Sequence, residues 1–259
     1  GKQLLSKNWI KKATSKQVSS GSNPDNDWAQ GYGFQFWRSR YESFRADGSF
    51  GQFCLVLPQH SLVIATTAGV YDMGQIMNIA WETLLPGLRD VALLRDSKNL
   101  QILKNKIEEL NLPKISGDKA SLEFPEKSMA YLLDENPQEI NTIKLDLNGA
   151  NHNIEIIYKD KKEIIKIGSE RYLKNELRSQ PPFTKGVEYL DGQALKVAVN
   201  GAWISSKQYL LRMYFYESTA SVDYTFNFEG NDFFWETTFN HTVGIFGDSI
   251  STITGQKAK

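Results

Sequence analysis

The sequence holds a single cysteine, Cys54, in 259 residues. No internal disulfide and no cysteine-rich zinc site can therefore form. Histidine is also scarce: His60, His152 and His241 lie far apart, and none has a second ligand at a helical or hairpin spacing. No metal motif is present and no cofactor is expected. Apolar runs fall well short of the ~18 residues that a bilayer-spanning helix requires. Gly1–Asn8 lacks a charged start followed by an apolar run, so no signal peptide is visible, which favours the cytoplasm. Neither sign of charge dominates, with Lys+Arg 30 against Asp+Glu 30. A basic footprint for nucleic acid is thus missing.

What is present describes a folded chain. Hydrophobic residues make up 41% and charged residues 23%, which excludes disordered, collagen-like and coiled-coil classes. Aromatics are frequent at 12%. Cys54 lies in the apolar stretch Phe53-Cys54-Leu55-Val56-Leu57 and is expected as a small core residue.

The chain reads in three parts: 1–96 of mixed helix and strand, a helical connector at 97–117, and a β-rich part at 118–259. In the first, Ser6 is placed to cap a helix over Lys7–Ala13. The polar stretch Ser15–Asp27 is a surface loop. Strands are expected over Trp28–Trp37, Ser43–Ala46, Phe50–Leu57 and Ser61–Thr67. Asp72 is placed to cap a helix over Met73–Leu85, with Ile76, Ile79, Ala80 and Leu84 on its apolar face, and Pro86-Gly87 ends it. In the connector, Leu100, Leu103, Ile107 and Leu110 recur at three- and four-residue steps, one stripe of a helix over 98–110.

The third part carries the plainer pattern. Val222, Tyr224, Phe226 and Phe228 alternate with Ser221, Asp223, Thr225 and Asn227, a period of two. Glu229-Gly-Asn-Asp232 is a turn, and Asp232–Phe239 returns as a second strand. Further strands are expected over Thr142–Leu147, Asn153–Tyr158, Glu163–Ile167, Leu195–Trp203 and Gln208–Glu217. Consecutive strands with short turns imply an antiparallel meander, closed as a barrel or packed as a sandwich. Twelve aromatics fall between Trp203 and Phe239. Alternation sends half of them to one face, so they read as core rather than as a stacking surface for sugar or single-stranded nucleic acid. The fold class is α+β in the first part and all-β in the last.

Gln30-Gly-Tyr-Gly-Phe-Gln-Phe-Trp37, then Phe44-Arg-Ala-Asp-Gly-Ser-Phe-Gly-Gln-Phe53, then Leu57-Pro58 and Leu62–Thr67 resemble the last third of the β-lactamase-like serine hydrolases. That family includes the class C β-lactamases and relatives of the penicillin-binding proteins. The resemblance implies that residues 1–96 are the C-terminal part of such a domain, with 118–259 as a β-rich extension. The family's Ser-x-x-Lys nucleophile and its second motif would lie upstream. Ser116-Gly-Asp-Lys119 has the spacing but sits in a connector, and Ser97-Lys98-Asn99 lies beyond the matched region. The third family motif falls on Ala46-Asp47-Gly48, with Ala46 where the family has a basic residue. These three residues are the implied substrate contacts. The backbone N–H of Ser49 is the implied oxyanion donor, a role worth roughly 3 kcal/mol in such enzymes.

The resemblance thus implies a serine hydrolase present in part. It is inactive alone, its partners being the missing N-terminal part and a small acyl ester, amide or peptide substrate. The alternative is a non-catalytic β module at 118–259 that holds a ligand or partner.

Overall fold

The computed structural model describes residues 2–89, 91–149, 151–178, 194–240 and 252–258. The chain forms two compact units, Gly1–Leu103 and Lys104–Lys259.

The first unit opens with α1, Lys7–Thr14, whose first turn is capped by Ser6 Oγ accepting from Trp9 N–H at 3.2 Å. Four strands come next in sheet order: β1, Trp37–Arg38; β2, Phe44–Gly48; β3, Gln52–Leu57; and β4, Leu62–Thr66. All neighbours are antiparallel. The strand expected over Trp28–Trp37 forms only at its end. A 3₁₀ turn, Asp27–Ala29, and single bridges at Tyr32 take its place.

The terminal helix of this unit is broken. A short α2, Gly74–Ile79, passes into a π-helical turn, Ala80–Leu84, and then a 3₁₀ turn, Leu85–Gly87. Asp72 Oδ1 accepts from Gly74 N–H at 3.2 Å, but the N-cap is Met73, which makes no side-chain cap bond, so the helix starts one residue later than expected. The buried face is Met77, Ala80 and Trp81, whereas Ile79 and Leu84 are exposed. Ala80 and the partly buried Ile76 of the expected stripe do face the core, and the wider π turn carries Leu84 off it.

Phe53, Leu55 and Leu57 of β3 pack against that face. Because side chains alternate along a strand, Cys54 must then face the other way. It is exposed, against the expectation of a core position. Ala46 and Ala65 oppose it in register and are exposed with it.

The connector helix α3, Ser97–Glu109, buries none of its residues.

The second unit is mostly β. Ten strands form one antiparallel sheet: β5, Met129–Leu133; β6, Ile140–Asp146; β7, His152–Tyr158; β8, Lys162–Ile167; β9, Leu173–Leu177; β10, Leu195–Ser205; β11, Gln208–Phe215; β12, Ser221–Glu229; β13, Asp232–Phe239; and β14, Ile253–Lys257. Their order is β8-β7-β6-β5-β14-β13-β12-β11-β10-β9. The last strand thus inserts between β5 and β13, joining two meanders into one sheet.

The sheet curls until β8 and β9 meet, giving a nearly closed barrel. Across that seam Asn175 replaces the ladder with its side chain. Its Oδ1 accepts from Lys166 N–H at 2.8 Å and its Nδ2 donates to Lys166 O at 2.9 Å. Past the end of β8, Gly201 N–H of β10 donates to Gly168 O at 3.0 Å. Such bonds satisfy edge groups that an open sheet would leave unpaired.

The β12–β13 hairpin turns at Gly230-Asn231, where Gly230 has φ 63°, a conformation glycine adopts without penalty. The expected strands of this part are all present. Three more, β5, β9 and β14, lie outside the expected set. Each is only five residues long, and β9 and β14 carry little apolar alternation.

Candidate functional site

The inward faces of the ten strands make one continuous core. It has two halves of different character.

At one end the interior is filled with rings. Phe124 stacks on Trp203, with centroids 6.4 Å apart and planes 4° apart, and meets Phe228 at 5.2 Å. Tyr131 stacks on Phe233 at 4.7 Å. The segment before β5 covers this end. Ser121 Oγ donates to Ser206 O at 2.6 Å, and Asn148 Oδ1 accepts from Ser121 N–H at 2.9 Å. Asn148 Nδ2 donates to the carbonyls of Phe124 and Glu126 at 2.6 and 2.7 Å.

Polar groups at the plugged end are matched. Trp203 Nε1 donates to Leu147 O at 2.8 Å. His152 Nε2 lies 3.0 and 3.1 Å from the carbonyls of Lys119 and Gly149. Carbonyls only accept, so Nε2 carries the proton. Nδ1 then accepts from the Tyr209 hydroxyl at 2.8 Å. Burial lowers the His152 pKa, keeping the ring neutral, and raises that of Tyr209. Gly201 makes room for this pair, since a Cβ there would stand 2.5 Å from the Tyr209 hydroxyl.

The opposite half is walled by apolar side chains and by Tyr158, Tyr224 and Trp235. Trp235 packs edge-on against Tyr224 at 4.9 Å and Phe226 at 5.5 Å. Its side chain is buried, yet Nε1 has no hydrogen-bond partner among the described residues. Burial also raises the Tyr224 pKa, so its hydroxyl keeps its proton. No lysine or arginine is buried among the described residues of this unit. Lys257 shares the inward alternation of β14 but lies at the plugged end, paired with Glu126 at 2.5 Å. Glu163 has the inward alternation of β8 near the other end, where its Oε2 accepts from Arg178 N–H at 3.1 Å.

The residues implied by the hydrolase resemblance lie in the first unit. Ala46 is on the exposed face of β2. Asp47 is on the opposite face, 2.8 Å from Arg45 Nη2, with Arg45 Nε donating to its Oδ2 at 2.9 Å. Gly48 pairs with Gln52. Ser49 is exposed in the turn after β2. The strand thus divides Ala46 from Asp47, and Asp47 is committed to Arg45. Ser116 is exposed, and Lys119 pairs with Glu170 at 2.5 Å.

Arg45 is fully buried and is the centre of this unit's polar core. Its guanidinium lies 4.7 Å from the Trp28 ring and 5.7 Å from that of Trp37. Nη1 donates to Ser39 Oγ at 2.6 Å and to the carbonyls of Asp27 and Arg38, both at 3.1 Å. The buried Asp27 carboxylate in turn accepts from Trp81 Nε1 at 3.0 Å and pairs with Arg40 at 2.9 Å.

Among the described residues no group of three or more His, Cys, Asp or Glu side chains could hold a metal ion, and no helix is long and apolar enough to cross a membrane. His241 lies outside the described residues.

No protein-family model matches the sequence, and no curated protein matches it. Solved structures do. A fatty-acid-binding protein from the brain of Drosophila melanogaster is 12% identical, with a TM-score of 0.33, covering 51% of this chain and 97% of its own. The fatty-acid-binding protein 1 of Echinococcus granulosus is 10% identical, with a TM-score of 0.34, covering 51% of this chain and 96% of its own. The secretory abundant heat soluble protein 4 of Ramazzottius varieornatus is 8% identical, with a TM-score of 0.33, covering 57% of this chain and 100% of its own.

These findings correct the hydrolase reading. The first unit is a small four-stranded antiparallel sheet with a broken helix, which is not a β-lactamase domain, the second is a nearly closed ten-stranded barrel, and none of these neighbours is a β-lactamase-like hydrolase. The serine-hydrolase function falls with it, as do the acyl ester, amide and peptide substrates and the missing N-terminal partner. The short Gly-Tyr-Gly and Asp-Gly-Ser strings that carried the resemblance are turn-forming sequences, and many folds use such turns between strands.

Proposed function

We propose that the barrel unit is a binding module for a small, mostly apolar molecule, held in the half of the interior lined by Tyr158, Tyr224 and Trp235. The carrying observation is the buried indole N–H of Trp235, which has no partner among the described residues. Leaving such a donor unpaired costs about 1–3 kcal/mol. An acceptor on a bound molecule would recover that energy, and the surrounding apolar wall would take the rest of the ligand. An eight-stranded barrel can already be filled by side chains or hold one small ligand, and ten strands enclose more. Here Phe124, Tyr131, Trp203, Phe228 and Phe233 plug one end, and the other half is lined by aliphatic side chains, by Phe215 and Phe239, and by three rings with polar tips.

The test is titration with N-phenyl-1-naphthylamine, a neutral apolar dye that brightens out of water. Saturable binding is expected at one site, together with a rise in melting temperature. At a hundredfold excess over Kd the stabilisation should approach about 2.7 kcal/mol. A folded protein that shows neither saturation nor a thermal shift would overturn the proposal.

A further inference from the structure

The same half of the barrel also bears on the chemistry of the ligand's polar end, given the binding-module reading on which this inference rests. We infer that this site selects a neutral hydrogen-bond acceptor, such as a hydroxyl, ester or ketone oxygen on an apolar chain, and discriminates against a carboxylate.

Two observations carry the inference. First, the polar tip that lacks a partner is a neutral donor, Trp235 Nε1. Its ring neighbour Tyr224 is buried too, and its hydroxyl stays protonated. Neutral donors satisfy a neutral oxygen fully, but they offer a buried anion no countercharge. Second, no lysine or arginine is buried among the described residues of this unit, and Lys161, whose Nζ lies 4.9 Å from the Tyr158 ring, is exposed. Among the described residues, the buried cation is Arg45 in the other unit. Lys257 is held by Glu126 at the plugged end. A buried ion needs a paired charge, and without one its desolvation outweighs the gain from hydrogen bonds. The matched His152 adds nothing here, since both of its nitrogens are engaged and burial keeps it neutral.

The experiment uses the full chain and displaces bound N-phenyl-1-naphthylamine with four twelve-carbon compounds at about pH 8, where a carboxylic acid is fully ionised. These are dodecanol, methyl dodecanoate, dodecanoate and dodecane. Dodecanol and the ester are expected to bind at least about tenfold more tightly than dodecanoate, because burying an unpaired carboxylate costs more than burying a neutral oxygen. In Trp235→Phe, the alcohol and ester should weaken by about five- to tenfold while dodecane is unchanged, since one hydrogen bond is lost. Circular dichroism and thermal unfolding of the variant check that its barrel is intact, and if the fold is lost, Tyr224→Phe takes its place in the same comparison.

Dodecanoate binding as tightly as dodecanol would overturn the inference and leave the binding-module reading standing. So would an equal loss for dodecane and dodecanol in Trp235→Phe. Absence of dye binding to the unmutated chain would overturn the binding-module reading itself, and this inference with it.

Discussion

The Tyr209 hydroxyl donates to Nδ1 of His152 at 2.8 Å, joining β11 to β7 across the barrel interior between residues 57 apart in sequence. The other ring nitrogen faces the Lys119 and Gly149 carbonyls, so the imidazole is saturated in its neutral form. A lone histidine in an apolar strand is here a structural clasp.

That clasp makes stability depend on pH. Burial holds the His152 pKa below its ordinary 6.5. The unfolded chain takes up this proton first as the pH falls, so the histidine's contribution to stability is full above about pH 6.5 and declines below it. It levels off once the pH passes beneath the folded value. The difference in unfolding free energy between the native chain and His152→Gln should shrink as the pH drops below about 6.5. Urea unfolding at a series of pH values measures this, and a flat difference would show that the ring is not held neutral.

Core alternation in β12 predicts an unequal response. Phe226 is fully buried and meets Phe233 and Trp235, whereas Thr225 lies on the outer face. Phe226→Ala should cost about 3–5 kcal/mol. Thr225→Ala should stay within about 0.5 kcal/mol. Denaturant midpoints compare the two, and equal losses would contradict the inward face assigned to this strand.

In the first unit, Arg45 is surrounded by aromatic rings and bonded to Asp47. Burial lowers its pKa and the Asp47 charge opposes that shift. Arg45→Ala would leave Asp47 without its cation and three acceptors without their donor. A loss of about 3–5 kcal/mol is expected, as for other broken buried pairs. Proteolysis of the first unit, read out by mass spectrometry, should report it as new cleavage within residues 2–89.

Cys54 gives a check on the orientation of β3. The thiol is exposed in the folded chain. Ellman's reagent should therefore titrate one thiol without denaturant, at a rate close to that in urea. Cys54→Ser should change stability by no more than about 0.5 kcal/mol. A thiol that reacts only after unfolding would place it in the core instead.

Much of the barrel was legible in the sequence. The alternation of Val222, Tyr224, Phe226 and Phe228, and the turn at Gly230, gave the β12–β13 hairpin its extent and inward face. Seven strands of the barrel lie where β-rich runs between turn residues place them. By contrast, β14 is held by ladders at both flanks and β9 by one ladder and the Asn175 seam, more than by their own pattern, and Gly255 in β14 has no side chain to signal a face. The candidate site was less legible. Trp235 was visible as a strand residue, but nothing in its neighbours along the chain says that its N–H meets no acceptor.

Sequence by itself determined the segments: which stretches extend, where they turn, and that the second part buries aromatic rings. These are properties of residues two to four apart, set by backbone geometry and by the alternation of side chains. Tertiary structure decided what depends on distant partners. It chose the covered face of β3 and so exposed Cys54. It set Arg45 against Asp47 on the buried side of β2. It placed β14 between β5 and β13, closed the seam through Asn175, and plugged one end with Phe124, Trp203 and Phe228. Each outcome depends on which surfaces exclude water together and which polar groups find partners, and short-range pattern carries no record of either.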